Sequence, residues 1–264
     1  MWTLAWAPAR AGYALYATLA FLVTGLAALI AALILPGVRR RRAAARASAR
    51  AFLWLAGMPL TVRGLEQLAP GQCVVVANHA SYLDGLVFTA ALPARFSFVI
   101  KREMSAVPLV GLFLRRIGSE FVERFDRNRG AADARRVLRN AASGHSLVFF
   151  PEGTFTKTPG LLKFHTGAFV IAARAGCPVI PAVVRGTRAA LSPSGGLPRP
   201  GRIAVDILAP IEAPPAAEVS SAALRDRARQ QILLALGEPD LTCSGDSALP
   251  PRKERAKSAQ ASRP

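Results

Sequence analysis

Residues 73–85 read CVVVANHASYLDG. Cys73–Ala77 is an unbroken run of small and β-branched apolar side chains, too short for a helix, and it reads as a strand buried on both faces. Asn78 and His79 follow with no intervening loop, and Asp84 opens a helical pattern over 84–92 that Pro93 stops. In such a strand–turn–helix unit, a carboxylate five residues after the histidine can fold back onto one imidazole nitrogen. The other nitrogen is then left as a general base, with the tautomer fixed by the Asp.

The same texture continues on both sides of this unit. Phe96–Lys101, Glu120–Arg124, Ser146–Phe150, Val179–Val184 and Ile203–Leu208 carry strand patterns. Val107–Ile117, Arg129–Ala142, Thr166–Ala175 and Ala222–Leu236 carry helical ones, several of them closed by glycine. Strands alternating with helices predict an α/β fold, a single mixed sheet with helices on both faces, over residues 61–237.

The N-terminal part differs. Residues 11–35 contain no charge, and as a helix they reach about 37 Å against ~30 Å of bilayer hydrocarbon. Pro36 and Gly37 end the run, and Arg39, Arg40, Arg41, Arg42, Arg46 and Arg50 follow at once, against Arg10 alone before it. Residues 1–60 therefore read as a membrane anchor, either a spanning helix or a hairpin dipping into one leaflet, with the basic side and the rest of the chain cytoplasmic. The short apolar stretch Ala51–Leu60 suits the interface, with Trp54 near the headgroups. Residues 238–264 read as a polar, basic, disordered tail.

Composition narrows the function classes. A chain that is 52% hydrophobic and 19% charged is not intrinsically disordered, and three unpaired cysteines exclude a disulfide scaffold. A formal charge of +18 favours anionic partners such as phosphates or anionic lipid. Nucleic acid is opposed by the apolar run and by the lack of an aromatic–basic binding motif. With three histidines and no cysteine cluster, no metal site is expected.

A second strand end, Phe150-Pro151-Glu152-Gly153-Thr154, offers backbone N–H groups and a hydroxyl to a ligand. With NHASYLD at 78–84, Gly118-Ser119-Glu120-Phe121-Val122-Glu123-Arg124, the run Gly160–Phe169 and Val179-Ile180-Pro181 in order, the chain resembles the lysophosphatidic acid acyltransferase family of glycerolipid acyltransferases. The resemblance covers about residues 60–212. It implies a membrane-bound O-acyltransferase of phospholipid biosynthesis at the inner membrane. Its donor would be acyl-CoA or acyl carrier protein and its acceptor a lysophospholipid, first of all 1-acyl-sn-glycerol-3-phosphate to give phosphatidic acid, with no cofactor. By resemblance, His79 and Asp84 are catalytic, while Asn78, Ser81, Arg124, Glu152, Gly153 and Thr154 bind substrate; oxyanion donors would be backbone N–H groups at the two strand ends. Phe155 stands where many members have Arg, which directs attention to other acceptors such as a lyso-ornithine lipid. A catalytically idle scaffold and a basic nucleic-acid-binding protein are the competing readings.

Overall fold

A computed structural model describes residues 7–123, 137, 139, 144–193, 196–212 and 220–242. Seven strands form one sheet: β1 (Leu60–Arg63), β2 (Val74–Ala77), β3 (Phe96–Lys101), β4 (Glu120–Val122), β5 (Ser146–Phe149), β6 (Val179–Arg185) and β7 (Ile203–Ile207). Their order is β1-β7-β6-β2-β5-β3-β4. All neighbours are parallel except β6 and β7, so the sheet is mixed, as expected. β1 is absent from the sequence reading. Its four residues, Leu-Thr-Val-Arg, alternate half-buried and exposed at a sheet edge and give too short a signal.

The pleat of β2 assigns the two faces. Val75 and Ala77 join Phe52, Leu53, Val87 and Phe88, from α2 (Val38–Leu55) and α3 (Asp84–Ala91). Val74 and Val76 join Phe169, Leu224, Ala228 and Ile232, from α5 (Gly167–Ala175) and α7 (Ser221–Leu236). A four-residue turn of helix, α6 (Thr187–Ala190), follows β6. The expected helix at 129–142 lies outside the described residues except for Val137 and Arg139.

The N-terminal helix α1 (Ala7–Ile34) is long and apolar enough to cross a membrane, with a mean hydropathy of 2.4 over its most apolar 18-residue stretch. It folds back at Pro36-Gly37 and runs antiparallel to α2. The Tyr13 hydroxyl donates to the Ala56 carbonyl, Phe21 packs edge-on against Phe52, and Arg41 donates to the Leu35 carbonyl. The apolar stretch expected in the interface is divided: Trp54 is 79% exposed, but Phe52, Leu53 and Met58 lie in the core. At the other end of the chain, Glu238–Thr242 extend the fold beyond the boundary expected at 237. Glu238 pairs with Arg188, Asp240 pairs with Arg229, and the Leu241 N–H donates to the Leu161 carbonyl. Residues 243–264 lie outside the described residues.

The arginines that follow α1 are also structural. Arg42 donates to the carbonyls of Ile117, Arg95 and Gly118, tying α2 to the connections that lead into β3 and β4. A short helix α4 (Val110–Arg116) is fixed to the end of α1 by Arg116, which donates to the carbonyls of Ala32 and Leu33. Replacing Arg42 by Met should therefore lower unfolding stability by about 2–4 kcal/mol, since three carbonyls lose a charged donor. Arg42→Lys should restore only part of it, because an ammonium cannot span three acceptors from one plane. Denaturant unfolding of the detergent-solubilised protein measures both.

Candidate active site

The parallel strands β2 and β5 end side by side, so the Asn78–Asp84 and Phe150–Phe155 segments meet at one edge of the sheet. Asp84 is the first residue of α3 and is fully buried. Its Oδ2 accepts the N–H groups of Ala80 (2.6 Å) and Ser81 (2.9 Å) and lies 2.8 Å from His79 Nδ1. A carboxylate so placed keeps the proton on Nδ1 and leaves Nε2 bare. The His79 side chain retains 20% of its exposure, so the imidazole reaches the cleft although its partner does not.

Other motif residues brace this loop. The Asn78 amide donates to the Val184 carbonyl (3.1 Å) and accepts the Val184 N–H (2.8 Å). Ser81 Oγ donates to the Leu191 carbonyl and accepts the Leu83 N–H. Asn78 is 3% exposed and Ser81 fully buried. Both were expected to bind substrate. Both are buried and join the loop to β6 and the chain beyond it.

Glu152 is 4% exposed and bridges the two motifs. Its Oε1 accepts the His79 N–H (2.6 Å) and its Oε2 the Leu162 N–H (2.9 Å). Both carboxylate oxygens are thereby engaged by backbone, and Glu152 holds the two motifs together. Gly153 turns the chain at φ 73° and donates to the Phe150 carbonyl, while Thr154 is exposed. The expected backbone oxyanion donors are correspondingly occupied: the N–H groups of residues 79, 80, 81 and 153 all have acceptors within the protein. Arg124, the expected phosphate ligand, lies outside the described residues.

Phe150 stacks on the His79 ring at 4.6 Å, and Phe155 meets it edge-on at 4.5 Å. Tyr82, 71% exposed, closes against Phe155 at 4.7 Å. The sequence reading missed this aromatic wall, although Phe150 and Phe155 flank Pro-Glu-Gly-Thr and Tyr82 stands three residues after His79. It also missed the clamp on the loop after the second motif. Glu238 accepts from Gly160 and Arg188, and Arg229 donates to the carbonyls of Leu161 and Leu162. Those acidic partners lie in a polar segment without periodicity, where no pattern marks them. Among the described residues no cluster of His, Cys, Asp or Glu could hold a metal ion.

A family profile described as Acyltransferase matches residues 59–185. The 1-acyl-sn-glycerol-3-phosphate acyltransferase of Saccharomyces cerevisiae is 30% identical over 200 residues, which is 74% of this chain and 66% of that protein. The lysophospholipid acyltransferase LPEAT1 of Arabidopsis thaliana is 39% identical over 128 residues, 46% of this chain and 30% of the relative. The chain thus spans less than two thirds of the length of these curated relatives. The crystal structure of the 1-acyl-sn-glycerophosphate acyltransferase PlsC of Thermotoga maritima superposes with a TM-score of 0.70, covering 86% of this chain and 95% of that one. At 22% identity this likeness shows the shared fold.

Burial pushes the Glu152 carboxyl from its ordinary 4.5 up to about 7, against the Leu162 and His79 N–H donors that hold it down. A carboxyl raised on folding leaves stability untouched below its unfolded value and removes it as the pH climbs toward the folded one. Stability should therefore fall by about 3 kcal/mol between roughly pH 4.5 and 7, at about 1.4 kcal/mol per unit. Glu152→Gln should lack this slope, although it forfeits one backbone acceptor. Urea midpoints of both proteins across the window measure the difference.

Proposed function

Since the chain belongs to the acyltransferase family, that of the lysophosphatidic acid acyltransferases, we propose that it is a membrane-bound O-acyltransferase carrying a fatty acyl group from a thioester to a lysophospholipid hydroxyl. The observation that carries the reading is the His79–Asp84 pair at 2.8 Å, with the carboxylate buried and the imidazole open to the cleft. His79 Nε2 takes the proton of the acceptor hydroxyl as the oxygen attacks the thioester carbonyl. Asp84 stabilises the imidazolium that forms. Collapse of the tetrahedral intermediate breaks the carbon–sulfur bond. The thiolate leaves with the proton from His79, giving an ester and a free thiol. The thioester is already activated, so no covalent acyl-enzyme is required.

The donor is acyl-CoA or acyl carrier protein. The yeast relative supports a 1-acyl-sn-glycerol-3-phosphate acceptor, converted to phosphatidic acid, and Arg124 is the cation that the motif offers to its phosphate. One observation favours a second reading. Phe155 occupies the family's arginine position and packs on His79, so an aromatic ring replaces a planar cationic fork there. That suits another lysolipid, such as a lyso-ornithine lipid.

For the anchor, the paired helices favour a hairpin in one leaflet over a span. α2 follows α1 along most of its length, and a spanning α1 would carry the α2 arginines to bilayer depths where each costs about 2.5–3.5 kcal/mol. The arginines and the domain then share the cytoplasmic side of the inner membrane.

Labelled acyl-CoA presented with a panel of lysolipids tests the reading. His79→Ala should lower turnover by about 10²–10⁴ while the protein stays folded, and Asp84→Asn should lose most activity. A His79→Ala enzyme with wild-type turnover would refute the base assignment. If lysophosphatidic acid is the acceptor, Arg124→Ala should raise its KM about tenfold with little effect on the donor, and Phe155→Arg should lower it. Loss of native activity in Phe155→Arg, with acceptor KM unchanged in Arg124→Ala, would assign the acceptor to the second reading.

A further inference from the structure

Between β3 and α4 the chain forms an apolar knuckle. Ala106, Val107, Pro108, Leu109 and Val110 are consecutive and all exposed, with Leu109 at 65%. Leu109 is the one described non-glycine residue with positive φ, at 59°. The Val110 N–H donates to the Pro108 carbonyl at 2.6 Å, so Leu109 sits at the centre of a γ-turn of the strained hand. A β-carbon on Gly111 would stand 2.3 Å from the Ser105 carbonyl oxygen, and Arg115 donates to that same carbonyl. The turn is thus held rigidly from beneath while it presents a large apolar side chain to the outside. Strain maintained without any packing return marks a surface that is used.

Its position indicates the use. β3 is parallel to β5, and β5 to β2, so the segment leaving β3 emerges at the edge of the sheet that carries His79. Leu109, Leu112 and Arg116 lie three and four residues apart, along one face. Arg116 ends that face on the last carbonyls of α1, while Ala32 of α1 packs with Phe113, Leu114 and Ile117. The knuckle is therefore continuous with the exposed apolar face of α1, where Leu22 is 58% and Ile34 74% exposed. Lys101 and Arg115, both exposed, flank it, as suits anionic headgroups beside an inserted apolar tip.

We infer that the Val107–Leu112 knuckle is a second membrane contact. It inserts into the same leaflet as α1 and turns the His79 edge of the sheet toward the lipid surface from which a lysolipid would enter. The inference rests on the membrane attachment proposed above, and it commits to lipid rather than a protein partner.

The full chain carrying Cys243→Ser provides a background in which Cys73 and Cys177 are buried. A polarity-sensitive fluorophore is placed in turn on Leu109→Cys, on Leu22→Cys in α1, and on Leu234→Cys, a 77% exposed position on the opposite face. With vesicles of phosphatidylcholine and phosphatidylglycerol, labels at 109 and 22 should shift to the blue and be quenched by nitroxide lipids. The label at 234 should do neither. Leu109→Asp with Val110→Asp should lower turnover on vesicle-borne acceptor about tenfold or more, leaving short-chain, water-soluble substrates within about twofold. Leu109→Gly, which relieves the positive φ, should keep or raise thermal stability and still lose vesicle turnover. A label at 109 that stays in water while that at 22 enters lipid would overturn the inference and leave the attachment standing; a protein partner on the knuckle would give this result. Both labels in water would overturn both. Equal loss on soluble substrates would make the knuckle a folding element and also overturn the inference.

Discussion

One carboxylate oxygen, Oδ2 of Asp84, organises the site. Two backbone N–H groups and the Nδ1 of His79 converge on it, so a single atom closes the loop between β2 and α3 and aims the imidazole. In water such a cluster would exchange its partners freely. Here Asp84 is fully buried, and leaving its donors unpaired would cost about 1–3 kcal/mol each. Asn78 on Val184, Ser81 on Leu191 and Glu152 on the His79 N–H then fasten that loop to three neighbouring segments. The effect is to hold one partly exposed imidazole on a loop braced by buried side chains.

This division explains how the motif was legible and where it misled. The strand ending in Asn-His and the helix opening at Asp84 are periodicity and punctuation, which a single sequence carries well. The same is true of the buried strands β2, β5 and β6 and of the mixed sheet's two covered faces. Within the motif, however, sequence cannot separate a residue that touches substrate from one that positions the residue that does. Asn78, Ser81 and Glu152 read as ligands in the sequence, and in the fold all three are buried and hydrogen-bonded to neighbouring segments. β1 and the clamp by Glu238 and Asp240 escaped because short edge strands and isolated ion pairs leave no periodic trace. Phe155 stood out as a departure from the motif, but its packing against both His79 and Tyr82 depends on a turn that brings together residues far apart in sequence.

The N-terminal arginines teach a similar lesson. Charge placement alone reads as a membrane boundary. Arg42 and Arg116, in addition, deliver their guanidinium groups to the ends of α4, α1 and the connections into β3 and β4. The N-terminal helix pair and the sheet are therefore one packed unit, which fixes the orientation of the cleft relative to the apolar face of α1.

The most direct test of the central claim is the tautomer of His79. The protein has three histidines, so 15N-histidine labelling and long-range 1H–15N correlation in detergent resolve each ring. Near neutral pH the account predicts a proton on Nδ1 and a bare Nε2 at His79, and loss of that preference in Asp84→Asn. A wild-type His79 protonated on Nε2 alone, with Nδ1 bare against Asp84, would contradict it.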